Sequence, residues 1–446
     1  MKKRIIITSV IAVLVITLGV LSFFAVRITN NAASGTKSTT STASDTKTTD
    51  LSYEGAVTLT SGQNISDTEY GSTTADENAL LVTGDIDVSL DNIKVTKSGD
   101  SSGGDNTSFY GTNSAILAKD GANVTITNAE ITTDAAGANG VFSYGGSATT
   151  NNSSSDGTTV TISDSVITTT KDNSGGIMTT GGGTMIAKNL TVNTAGTSSA
   201  AIRSDRGGGT VTVTKGTYST TGKGSPAIYS TADITVNDAT LNSSASEGVI
   251  IEGKNSITLN NCTLNDTNNT LNGKSTTYKN IFIYQSMSGD AKSGTATFSA
   301  TDSSITTNKG DTIYVTNTTA EIYLKNNTFK NNDSTGNFLR IKADSWGNSG
   351  SNGGNVTLTA DSQKIKGNIV VDSISTLIFN IKNGSSYEGV INGDNTAKSI
   401  SLTLDASSKI KLTGDCYVTS FTNTDSTNSN IDFNGYKLYV NGVAVN

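Results

Sequence analysis

One eight-residue pattern returns along this chain: apolar, any, apolar, any, Asn/Asp/Lys, small, any, apolar. It reads VSLDNIKV (Val88–Val95), VTITNAEI (Val124–Ile131), VTISDSVI (Val160–Ile167), MIAKNLTV (Met185–Val192) and VTVTKGTY (Val211–Tyr218). It continues as ITVNDATL (Ile234–Leu241), ITLNNCTL (Ile257–Leu264), FSATDSSI (Phe298–Ile305) and IYLKNNTF (Ile322–Phe329), and degrades at VTLTADSQ (Val356–Gln363). Alternation with period two marks a strand with one buried face. The Asn/Asp/Lys-small pair interrupts the alternation, so the chain bends there, and Asn and Asp tolerate the left-handed backbone that such a bend needs.

Each copy follows a second apolar anchor: Ile116, Val141, Ile177, Ile202, Ile228, Ile250, Ile283, Ile313 and Leu339. The spacing varies, and the long intervals hold polar insertions such as Ser147–Asp156 and Asn268–Asn280. A regular coil with loops bulging from one corner accounts for this; a globular domain does not. Three short strands and three bends per repeat, with no helix-period segment between them, predict an all-β, single-stranded right-handed parallel β-helix. About 12 coils at ~4.8 Å each give a rod roughly 55–60 Å long. An immunoglobulin-like sandwich array is the alternative, but calls for longer strands and hairpin turns.

The predicted organisation has four parts. Residues 1–28 are a signal anchor: Lys2, Lys3 and Arg4 precede Ile5–Val26, an uncharged apolar run long enough to span a bilayer. The flanking cations place the N-terminus inside and the rest outside. A cleaved signal peptide is the alternative, and leaves the remainder secreted. Residues 29–50 are a Ser/Thr-rich flexible stalk. Residues 51–395 form the coils, with Leu51–Asp85 covering one end. Residues 396–446 are terminal coils and a cap over the open strand edges.

Charge and rare residues exclude several functions. The net charge of −7 argues against a nucleic-acid partner. With no histidine, Ser-His-Asp and Cys-His nucleophile systems are absent. Cys262 and Cys416 lie several repeats apart, too far for a disulfide, and read as packed free thiols. Two cysteines and no histidine are too few for a zinc site.

The runs GVFSYGG, GGIMTTGGGT, AIRSDRGGGTV, SPAIYSTADITV, EGKNSITL, YQSMSGDA and GDTIYVTNT carry a family resemblance. The chain resembles pectin-lyase-like right-handed β-helices and, more closely, uncharacterised clostridial cell-surface proteins of that type. The resemblance covers about residues 80–440. It implies a β-helix on a bacterial surface and no particular activity, since adhesins, carbohydrate-binding proteins, lyases and glycosidases share the fold.

If each anchor points inward, the next residue points out. The outward row is then Leu117, Phe142, Met178, Arg203, Tyr229, Ile251, Tyr284, Tyr314 and Arg340, an exposed apolar and aromatic stripe of the kind that marks an interaction surface. The next outward positions include Tyr144 and Asp205. Arg203, Asp205 and Arg206 fall within four residues of a chain that is only 15% charged. Tyrosines stack on sugar rings, and Arg and Asp bind hydroxyls or carboxylates. The expected glycan face is therefore Arg203, Asp205, Arg206, Tyr229 and Tyr284, flanked by Phe142, Tyr144 and Tyr314. The competing readings are a local ion-pair cluster, tyrosine stacking that stiffens the sheet, and an inserted loop covering the stripe.

The expected function is membrane-anchored, extracytoplasmic binding of a polysaccharide or a host or cell-surface glycan, without catalysis or cofactor. Two alternatives stand beside it. One is an enzyme acting on an acidic glycan: a glycosidase using carboxylates from Asp205, Glu252 and Asp311, or a lyase using Arg203 or Arg206 as base with calcium held by carboxylates. The other is a purely structural rod.

Overall fold

A computed structural model describes residues 51–146, 155–273 and 275–446. The proposed anchor and stalk lie outside the described residues. Among those described, no helix is long and apolar enough to cross a membrane.

The recurrent pattern does what period two requires. In Asn123–Thr127 and Thr159–Ser163, Val124, Ile126, Val160 and Ile162 are buried while the intervening threonines face outward. Each strand pairs in parallel with its counterpart one coil away, and like residues stack: Val88 on Val124, Val124 on Val160, Val160 on Met185. Among the described residues this builds a 22-stranded sheet from the recurrent pattern and a 12-stranded sheet from the anchors. The architecture is all-β, with long parallel sheets stacked as in a parallel β-solenoid. A continuous ladder of Val, Ile and Leu fills the interior from Leu59 to Leu438.

The bend residues adopt the expected left-handed backbone: φ is 51° at Asn92, 55° at Asn128, 50° at Asp164, 53° at Asn189 and 52° at Asn261. Their side chains also tie neighbouring coils. Asn92 donates to Asp67 at 2.6 Å, Asn189 to Asp164 at 2.7 Å and Asn326 to Asp302 at 2.6 Å. The small position beside them carries a second ladder. The Cys262 amide donates to Ser303 Oγ, the Ser303 amide to Asn327 and the Asn327 amide to Gln363. Cys262 and Cys416 are free and buried, and burial pushes both thiols up, Cys416 to about 11.

Three expectations need correction. Leu51–Asp85 is not a separate cover. Glu54–Leu59, Gln63–Ser66 and Glu69–Ser72 form a coil of their own, paired with Glu77–Thr83, Asp87–Asp91 and Lys94–Ser98. The anchor at Ile250 is displaced by one residue: Val249 pairs with Ile228 and Ile281, so Ile250 points out and Ile251 in. The anchor at Ile283 is displaced by two, because Ile281 aligns with Ile313. The true outward row runs Arg203, Tyr229, Ile250, Phe282, Tyr314, Arg340, and Tyr284 moves to the second row opposite Glu252. A one-residue slip exchanges faces, and VIIE (Val249–Glu252) has three apolar residues in succession, so its periodicity cannot choose the register.

The C-terminal part continues the parallel pairing through Ser399–Leu404, Lys409–Leu412 and Cys416–Val418. It ends in an antiparallel hairpin, Leu438–Val440 with Val443–Ala444. Asn441 and Gly442 both have positive φ, 47° and 80°, as a two-residue hairpin turn of the primed type requires.

Candidate functional site

The predicted stripe exists as a row of aligned residues, but it is covered. Phe142, Met178, Arg203 and Tyr229 succeed one another in register, pointing away from the aliphatic interior. Among the described residues, three added segments lie over this row and the one beside it. Residues 105–110 form a short helix, Asp105–Tyr110, whose Ser108 accepts from Arg203 Nη2 at 3.0 Å. Its Phe109 ring stacks under the Arg206 guanidinium at 4.0 Å, and its backbone accepts from Thr180. Residues 285–292 bring Asp290 to Arg206 at 2.7 Å and Ser286 to Glu252. Trp346 packs edge-on against Tyr284 with ring centroids 4.9 Å apart.

The result corrects the expected exposed glycan face. Phe142, Tyr144, Arg203, Asp205, Tyr284 and Tyr314 are all buried, and Arg203 is 1% exposed. Only Arg206 and Tyr229 are partly exposed. The physical reason is that apolar and aromatic surface is removed from water wherever an inserted segment can cover it. Phe142, Tyr144, Leu81, Leu117 and Met178 form a second apolar cluster, with Tyr53 and Tyr110 packed on it. Tyr53 stacks on Tyr144, with centroids 6.4 Å apart, and carries Lys119 over its ring.

Beneath these covers lies a buried polar cluster. Arg203 pairs with Asp205 at 3.0 Å, and the Arg206 amide donates to Asp205. Burial pushes the Asp205 carboxyl up to about 7 against the pull of Arg203, with Asp290 and Glu252 adding to the rise. Glu252 accepts from the hydroxyls of Tyr229, Tyr284 and Ser286, the Tyr284 bond being 2.9 Å. Burial raises its pKa, and the three hydroxyls oppose the rise. On the helix, Asp105 is also raised, by burial and by Asp290. Asp311 stands apart: it accepts from the Asn337 amide at 2.8 Å and pairs with Arg340. Sequence reasoning placed Glu252 on the wrong face and missed Asp290, which reaches Arg206 across 84 residues.

A different surface is open. A groove of about 640 Å³ follows the bend across the first four coils. Glu69, Lys94, Glu130 and Val166 occupy one aligned row along it, all exposed. Thr132 and Thr168 form the next row, and the exposed bend residues Asp67, Asn92, Asn128 and Asp164 also line the groove. Lys94 and Glu130 approach to 4.0 Å. Above these coils the first row continues as Thr191, Thr217, Thr240 and Thr263. Among the described residues, no group of three or more carboxylates or thiols is arranged to hold a metal ion. Compared with protein-family models, curated proteins and solved structures, the chain matches none.

Proposed function

We propose that this chain is a bacterial cell-surface, right-handed parallel β-helix, anchored through Ile5–Val26, that binds an extended polysaccharide without catalysis. The observation that carries the reading is the open groove along the coil axis. One row along it alternates in charge, Glu69, Lys94 and Glu130, before Val166, and the row beside it repeats a threonine, Thr96, Thr132 and Thr168, so a polymer laid along it meets hydroxyls one coil apart beside charges of both signs. Glu69, Lys94, Glu130, Thr132 and Thr168 are the binding residues of this reading. The buried stripe is then structural: Arg203, Asp205, Tyr229 and Tyr284 hold the covering segments on the coil.

The test is affinity electrophoresis of the whole chain in gels containing soluble polysaccharides. The Lys94→Ala/Glu130→Ala variant is expected to lose about tenfold in affinity, roughly 1.4 kcal/mol. Arg206→Ala is expected to keep it. Retention by no polysaccharide, or equal retention by both variants, would sink this reading.

A second reading is favoured by one observation. Asp205 at about 7 and the raised Glu252 lie together under residues 285–292. Their charges act on one another, and glycoside hydrolysis uses a pair of carboxyl groups. Release of reducing ends from a retained polysaccharide, abolished by Glu252→Gln, would replace the binding reading with that one.

A further inference from the structure

At the corner where the insertion 268–278 rejoins the coil, three side chains meet, Lys279 and Glu247 buried and Asn272 half-buried. Lys279, the first residue of the strand Lys279–Tyr284, is fully buried, which is rare for lysine. Its Nζ lies 3.1 Å from Oε1 of Glu247, which stands just before the neighbouring strand. The other oxygen of Glu247 accepts from Asn272 Nδ2 at 3.0 Å, and Ser246 Oγ accepts from the same nitrogen at 3.2 Å. Asn272 Oδ1 is buried without a hydrogen-bond partner. The rings of Phe282 and Tyr314 close the pocket, with centroids 4.3 and 5.7 Å from Nζ.

Lys279 Nζ also donates to Ser275 Oγ at 2.8 Å and to the Thr277 carbonyl at 3.2 Å. One carboxylate thus bridges an amine and a carboxamide beside two aromatic rings. A carboxylate so placed can take a proton from the nucleophile and give it to the leaving group. The geometry points to an intramolecular isopeptide bond between Lys279 and Asn272, formed with Glu247 as the proton-transferring residue. Lys279 gives a proton to Glu247 Oε1, and the freed amine attacks Asn272 Cγ. The Cγ–Nδ2 bond breaks as the new Nζ–Cγ bond forms. Both protons lost by Nζ pass through Glu247 to Nδ2, which leaves as ammonium. An ammonium and a carboxamide become a secondary amide and ammonium, the carboxylate is regenerated, and nothing is oxidised or reduced. Proximity replaces an external enzyme, since both reacting groups are held against the same carboxylate before reaction. The product closes residues 272–279 into a covalent ring and fixes this part of the insertion to the coil.

The experiment is a tryptic map of the purified chain by mass spectrometry. Residues 255–274 and 275–292 are expected joined as one species, uncut after Lys279 and lighter than the sum by one ammonia. Glu247→Gln is expected to leave the two peptides separate and the chain folded by circular dichroism. Separate peptides in the unsubstituted protein would overturn the proposal. So would loss of ammonia with cleavage after Lys279 intact, or loss that survives Lys279→Met, because Asn272–Gly273 can also lose ammonia by closing to a succinimide. An undiminished link in Glu247→Gln would remove Glu247 from the chemistry and overturn the mechanism.

Discussion

At the scale of single residues, Asp205 shows how burial changes what a side chain contributes. Its carboxyl has a charged partner in Arg203 yet is raised to about 7, because removal from water outweighs the pairing. Asp266 is raised to about 7 as well, again by burial. In the unfolded chain both titrate near their ordinary value. Between about pH 4 and about pH 7 the unfolded state therefore releases protons that the folded state keeps, and stability falls as pH rises through that window. Glu252 adds to the same direction. Melting temperatures are expected to decline from about pH 4.5 to about pH 7.5, with a shallower decline in Asp205→Asn. Equal slopes in the two proteins would show that Asp205 is ionised alike in both states. The concentration of Arg203, Asp205 and Arg206 was plain in the sequence. Their burial was not, because the groups that cover them, Ser108, Phe109 and Asp290, lie 84 or more residues away or on an insertion.

At the scale of elements, the coils approach one another so closely that some positions admit no side chain. A Cβ on Gly222 would lie 1.7 Å from the Gly196 carbonyl oxygen, and one on Gly196 would lie 1.8 Å from that of Lys171. These are backbone atoms, which cannot swing aside. Gly222→Ala is expected to cost about 1–3 kcal/mol in urea denaturation, the range typical of overpacking. A change below about 0.5 kcal/mol would mean the coils separate freely there. Individual strands were legible where the sequence alternates cleanly, as in VTITNAEI and VTISDSVI, and the Asn/Asp bend was legible as a left-handed site. Strand register was not legible in VIIE and KNIFIY, where consecutive apolar residues satisfy either face. There the neighbouring coils decide it, by stacking Val249 between Ile228 and Ile281.

At the scale of the whole molecule, the repeat array makes each coil dependent on the next, and the last one needs an ending. The hairpin formed by Leu438–Val440 and Val443–Ala444 supplies it by pairing one strand edge antiparallel. Removal of residues 438–446 would expose the edge of Cys416–Val418. The shortened chain is expected to self-associate at concentrations where the full chain does not, as read by light scattering. A monodisperse truncated chain would assign the ending to another element.

The insertions, expected at one corner, leave the coil from two, residues 268–278 before the strand Lys279–Tyr284 and residues 285–292 after it. The sequence by itself determined the coil: short strands of period two and the left-handed Asn/Asp bends between them. Those features are local, and every copy of the repeat states them again. Only the tertiary structure decided which face of each ambiguous strand turns inward, that the aromatic stripe is covered, and where the open groove lies. It also brought Lys279, Glu247 and Asn272 together. These depend on contacts between residues far apart in the chain or on loops outside the repeat, and side-chain periodicity carries no information about what an insertion folds onto.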